Sequence, residues 1–130
     1  LDELRSLYGR VADAGSFFVP DLLDTGHYLG RRDNRGTLVA AAGVHVVSAR
    51  YGVAAIGNVA THPDHRRAGH ARAVVTNLCH RLVGEVATIG LNVRAANLGA
   101  RTLYRDLGFD DVADFSEAVL VRRRRGDAEP

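Results

Sequence analysis

The residues with chemical potential concentrate between positions 59 and 71. Val59-Ala60-Thr61 closes an apolar stretch, His62-Pro63-Asp64-His65 turns the chain, and Arg66-Arg67-Ala68-Gly69-His70-Ala71 leads into a helical pattern. A strand that feeds a small-residue turn at a helix start makes an anion site. The first backbone N–H groups of a helix lack intrahelical acceptors and sit at the positive end of its dipole. Gly69 and Ala71 are too small to hold a phosphate away from that backbone, and Arg66 and Arg67 add charge. The turn is neither a Walker A loop, which requires Gly-Lys-Ser/Thr, nor a dinucleotide fingerprint. His62, Asp64, His65 and His70 lie close together, but their spacing fits no zinc pattern, so no metal is expected. Cys79 and His80 are helix neighbours that cannot face each other, so they do not read as a nucleophilic pair, and Cys79 reads as a packing residue.

The elements that must position this segment follow from periodicity. Leu1, Leu4, Leu7, Tyr8 and Val11 have helical spacing, interrupted by Gly15 and Pro20. Asp21 to Asp24 forms a further turn, and His27 to Arg31 reads as a short strand. Asp33-Asn34-Arg35-Gly36 is turn chemistry. Leu38 to Ser48 lacks polar alternation until His45 and reads as a strand buried on both faces. Arg50-Tyr51-Gly52 then returns the chain into a third strand, Val53 to Thr61. From Gly69 the period changes to a helix whose inner face is Ala71, Val74, Val75, Leu78 and Leu82. Ala87, Ile89, Leu91 and Val93 share one face of the next strand. Asn97 reads as the N-cap of a helix carrying Ala100, Leu103, Tyr104 and Leu107, closed by Gly108. Phe109 to Phe115 and Glu117 to Arg123 read as two final strands. The order predicts one α/β domain over residues 1–125, with a mixed, mostly antiparallel sheet flanked by helices, and a polar tail over 126–130.

Two motifs in this order resemble the GNAT superfamily of N-acetyltransferases. Arg66-x-x-Gly69-x-Ala71, preceded by Thr-His-Pro-Asp-His, is similar to its pyrophosphate-binding motif. Leu91-Asn92-Val93-Arg94-Ala95-Ala96-Asn97 and Leu103-Tyr104-Arg105-Asp106-Leu107-Gly108-Phe109 are similar to its second hallmark. The resemblance spans roughly Tyr28 to Val121. It implies acetyl-CoA as cosubstrate, no metal, and direct attack of a primary amine on the thioester in a ternary complex. By the same resemblance, the amides of Arg67, Ala68, Gly69, His70 and Ala71 hold the CoA pyrophosphate, aided by the side chain of Arg66 or Arg67. Val59, Ala60 and Thr61 pair main-chain groups with the pantetheine arm, a backbone N–H near the end of that strand stabilises the oxyanion, Asn97 contacts the cofactor, and Tyr104 protonates the departing thiolate. Read from the residues alone, Tyr104 is equally a core tyrosine and Asn97 equally a helix cap. Many members carry a Glu or His as general base four or six positions before the Thr61 position, where this chain has Gly57 and Ala55. The remaining candidates are His45, Asn58 holding a water, His62, or an amine that loses its proton to solvent. A histidine on an apolar strand also reads as a packed core residue. The family fold normally begins with a strand, whereas Leu1 opens directly in a helical pattern without an initiator Met, so an upstream strand or domain is expected.

Bulk properties bound the partners. The 130 residues, 46% hydrophobic and 25% charged, suit a single globular domain. No apolar run is long enough to cross a bilayer, no signal peptide is visible, and the single cysteine fits a reducing, cytoplasmic setting. All 17 positive side chains are arginines. Four lie at Arg122 to Arg125, so the rest of the chain sets 13 arginines against 15 acids, a net of −2. That distribution argues against nucleic acid, which calls for a basic face. The expected partners are an amine-bearing acceptor whose identity the sequence does not encode, and an upstream domain or a second copy of the chain. Two rivals stand beside catalysis: a CoA-binding regulatory domain without turnover, and an anion- or nucleic-acid-binding module.

Overall fold

The computed structural model describes residues 1–130 except 12, 13, 16, 119, 121 and 123–130. The last arginines of the basic run and the 126–130 tail therefore lie outside the described residues. Among these residues, three α-helices, α1 (Asp2–Gly9), α2 (His70–Leu82) and α3 (Leu98–Asp106), accompany four strands, β1 (Leu29–Arg32), β2 (Leu38–Ser48), β3 (Val53–Thr61) and β4 (Thr88–Leu91). The sheet order is β1-β2-β3-β4, antiparallel across the first two pairings and parallel between β3 and β4. The parallel pair is joined through α2, which supplies the crossover that parallel neighbours require.

β2 is the spine of the molecule. Val39 to Val44 are all buried, because helices cover both faces of the sheet. On one face, Val74, Val75, Leu78 and Leu82 of α2 pack with Ala42, Val44, Ala54, Ile56 and Tyr104. On the other, Leu4, Leu7 and Tyr8 of α1 pack with Ala41 and Ala60, with Phe18, Tyr28 and Leu38 at the margin. The face expected for α2 is thus the one it buries.

The C-terminal reading needs correction. Among the described residues neither Phe109–Phe115 nor Glu117–Arg123 forms a strand, and residue 123 itself lies outside the description. Asp111 is drawn to Arg101 and Arg105 of α3, and Phe109 meets the Tyr104 ring edge-on at 6.0 Å. These contacts hold the chain beside α3 rather than on the sheet. The three aspartates at 110, 111 and 114 are also poor strand formers, and Val112 is left 92% exposed.

Candidate active site

β3 and β4 pair only over four residues, from Val53↔Thr88 to Ile56↔Leu91. Beyond Ile56 the two strands part, and Gly57 to Thr61 pair with β2 alone. Among the described residues, one edge of β3 therefore keeps main-chain donors and acceptors without strand partners, and it carries Val59, Ala60 and Thr61. The parting coincides with a bulge. The register shifts where Ala41↔Ala60 gives way to Gly43↔Gly57, and Asn58 has φ +51°, left-handed backbone that an Asn tolerates better than most residues.

That bulge is braced from the α1 face. The Tyr8 hydroxyl donates to the Asn58 carbonyl at 2.7 Å, and Asn58 Nδ2 donates to the Tyr28 hydroxyl at 2.8 Å. Burial raises the pKa of both tyrosines, so both stay neutral donors and acceptors over the ordinary pH range. Tyr8 and Tyr28 were not singled out from the sequence, because they lie 50 and 30 residues from Asn58. The polar Gly57-Asn58 pair inside an apolar strand was the signal available.

The edge of β3 runs directly into the anion-site candidates. His62 begins a 3-10 turn at Pro63–His65, with its Nδ1 accepting from the Asp64 N–H at 3.1 Å. Arg66, Arg67, Ala68 and Gly69 are exposed. Arg67 sits at φ +63° and Gly69 at φ +77°. A left-handed conformation costs a non-glycine residue about 1 to 2 kcal/mol, and such strain concentrates at functional sites. Gly69 is the N-cap of α2, and no side chain caps that end. The amides of His70 and Ala71 therefore begin the helix without a side-chain acceptor. A Cβ on Gly69 would meet no protein atom, so the glycine answers to its φ rather than to packing.

α3 offers a contrast, because Asn97 caps it by accepting from the Ala100 N–H at 3.1 Å. Asn97 is exposed while Tyr104 is 9% exposed within the α2-side cluster that Val59 also joins. Asn97 thus sits at the surface, and Tyr104 lies inside, in a cluster that Val59, Leu91 and Val93 border. Burial raises the Tyr104 pKa, which keeps its proton in place at neutral pH, and among the described residues its hydroxyl has no hydrogen-bond partner. Beside the anion loop, a groove of about 520 Å³ is lined by Arg31, Arg32, Asp33, Arg35, His65 and His70, among others. No described group of three or more His, Cys, Asp or Glu is arranged to hold a metal.

The position that lacks a carboxylate is not empty. A Cβ on Gly57 would lie 1.7 Å from His45 Nε2 and 1.8 Å from its Cδ2, so the imidazole from β2 lies across the glycine. β2 is bulged at this residue, between Val44↔Ile56 and Val46↔Ala55. Phe17 meets the imidazole edge-on at 5.9 Å.

Comparison with known proteins bears on this geometry. Residues 3–109 match the model of the Acetyltransferase (GNAT) family. A 59-residue stretch is 42% identical to the [ribosomal protein bS18]-alanine N-acetyltransferase of Escherichia coli strain K12, covering 45% of this chain and 40% of that protein. The chain thus aligns with about two fifths of the length of the curated relatives it matches. The crystal structure of the ribosomal-protein-S18-alanine N-acetyltransferase from Escherichia coli superposes with a TM-score of 0.62 at 31% identity, over 85% of this chain and 73% of that one. Glucosamine-6-phosphate N-acetyltransferase from Arabidopsis thaliana shares the fold, with a TM-score of 0.70 at 14% identity over 91% of this chain and 92% of that one.

Proposed function

The chain belongs to the GNAT family of acetyltransferases, and on that premise we propose that it is an acetyl-CoA-dependent N-acetyltransferase acting on a primary amine. The observation that carries the proposal is continuous backbone: an unpaired β3 edge from Gly57 to Thr61 leading into an uncapped, left-handed turn at the start of α2. The residues present suit CoA, which combines a strand-like amide arm with a pyrophosphate. Val59, Ala60 and Thr61 would pair with the arm. The amides of Arg67, Ala68, Gly69, His70 and Ala71 would hold the pyrophosphate, with Arg66 or Arg67 adding charge. Asn97 would contact the cosubstrate while capping α3.

Bound acetyl-CoA supplies an activated acetyl thioester. The chain's part is to orient it, to offer a β3 backbone N–H to the developing oxyanion, and to deliver the Tyr104 proton to sulfur. The neutral Tyr104 hydroxyl, without a hydrogen-bond partner among the described residues, suits that role. The acceptor is proposed only as an amine. The Escherichia coli relatives are named for a ribosomal-protein alanine and the Arabidopsis enzyme for a sugar phosphate, so the fold does not select among amines. No described helix is long and apolar enough to cross a membrane, and a cytoplasmic setting is part of the proposal.

Gly57 and Ala55, standing where a base is common, favour a second reading: a CoA-binding domain without turnover. Calorimetric titration with CoA tests the binding that both readings share. Gly69→Glu should abolish CoA binding by placing bulk and negative charge at the helix start. Unchanged affinity in that variant would remove the proposed pyrophosphate site.

A further inference from the structure

Resting on the acetyltransferase reading, we infer that His45, lying across Gly57 where β3 and β4 part, takes the proton from the acceptor amine. The argument is one of position. Ile56 is the last β3 residue paired with β4, and Gly57 is the first on the free edge, so a side chain at 57 would stand at the mouth of the proposed acetyl site. Gly57 has none, and the imidazole of the neighbouring strand occupies the space such a side chain would fill. The bulge in β2 at His45 re-aims its side chain, as bulges near active sites do.

The other side-chain candidates are engaged. His62 accepts at Nδ1 from the Asp64 amide, which puts its proton on Nε2 and leaves a neutral ring no free lone pair. Asn58 is not a base, and its Nδ2 is held by Tyr28. Among the described residues His45 has a ring contact with Phe17 but no hydrogen bond or ion pair. Among the described residues no charged group shifts its titration. Gly57 and Phe17 lie against it, and the Tyr28 and Tyr8 hydroxyls on that side of β3 are neutral. Burial alone holds the imidazole below its ordinary pKa, so it is a free base at pH 7. In the step, a neutral amine nitrogen bonds to the acetyl carbon as the carbon–sulfur bond breaks. The proton in excess on that nitrogen passes to His45 and then to solvent, sulfur receives the Tyr104 proton, and the tyrosinate regains a proton from solvent.

The test compares kcat against pH for the full chain, His45→Gln, and the pair His45→Ala and His45→Ala/Gly57→Glu, with CoA affinity measured on each. Wild-type kcat should rise through the lowered imidazole pKa and level off above about pH 7. His45→Gln should lose about 10² to 10⁴-fold in kcat at pH 7, keep its CoA affinity, and rise with pH towards the amine's own pKa. Gly57→Glu should restore a plateau to His45→Ala, because the glutamate then has the room the imidazole vacated. A wild-type profile still rising at pH 9, or unchanged turnover and profile in His45→Gln, would overturn the role of His45 while leaving the acetyltransferase reading intact. Wild-type protein that binds CoA but acetylates no amine would overturn both.

Discussion

Tyr104 and Asn58 are both buried, but only Asn58 is held by hydrogen bonds among the described residues. Tyr104 is buried, has no hydrogen-bond partner among the described residues, and has a raised pKa. Tyr104→Phe keeps the ring against Phe109 and removes only the hydroxyl. Stability should change little, and kcat should fall toward the low end of the roughly 10² to 10⁴-fold range for a lost acid, since a thiolate leaves readily. CoA affinity should hold, because the proton is needed only as the bond breaks. Equal turnover in wild type and variant would leave Tyr104 a core tyrosine. Tyr8, by contrast, donates to the carbonyl of the bulged Asn58. Tyr8→Phe should cost about 1 to 3 kcal/mol in denaturant unfolding, because a buried carbonyl loses its partner. A loss under about 0.5 kcal/mol would mean that water replaces the hydroxyl. Tyr104 was singled out from a local motif. Tyr8 and the seating of His45 over Gly57 were not, because strand register decides them and register is a long-range property.

The two interior helices begin in opposite ways, and this difference was partly legible. Asn97 was readable as an N-cap because its type and the apolar spacing after it are local signals. Gly69 was readable as a small residue at a helix start, but the left-handed Arg67 beside it was not. Asn97→Asp retains a good cap while replacing an amide donor with a negative charge. It should leave the melting temperature within about 2 °C and weaken CoA binding if Asn97 touches the cosubstrate. Full affinity would confine Asn97 to capping. The reading failed after α3, where Phe109 to Phe115 and Glu117 to Arg123 read as strands that the described residues do not form. The ion pairs of Asp111 with Arg101 and Arg105 prevail there.

At the scale of the whole molecule, one sheet separates two apolar clusters, and β2 belongs to both. Leu7 on the α1 side and Leu78 on the α2 side are 2% and 0% exposed. Each truncation to Ala should cost about 2 to 5 kcal/mol, and each variant should still melt in one transition, because neither cluster persists without the shared strand. Two separated transitions would show that the faces fold independently. The same division sorts the candidate residues. His45, Tyr8 and Tyr28 bear on β3 from the α1 side, and Tyr104 lies on the α2 side. The measurement that tests this account most directly is thiol release from acetyl-CoA across a panel of amines that includes sugar amines, polyamines and a peptide with an N-terminal alanine, with the acetylated product weighed by mass spectrometry. The account predicts release that depends on at least one amine and yields a product heavier by one acetyl group. CoA binding without amine-dependent release across that panel would contradict it and leave the chain a CoA-binding domain.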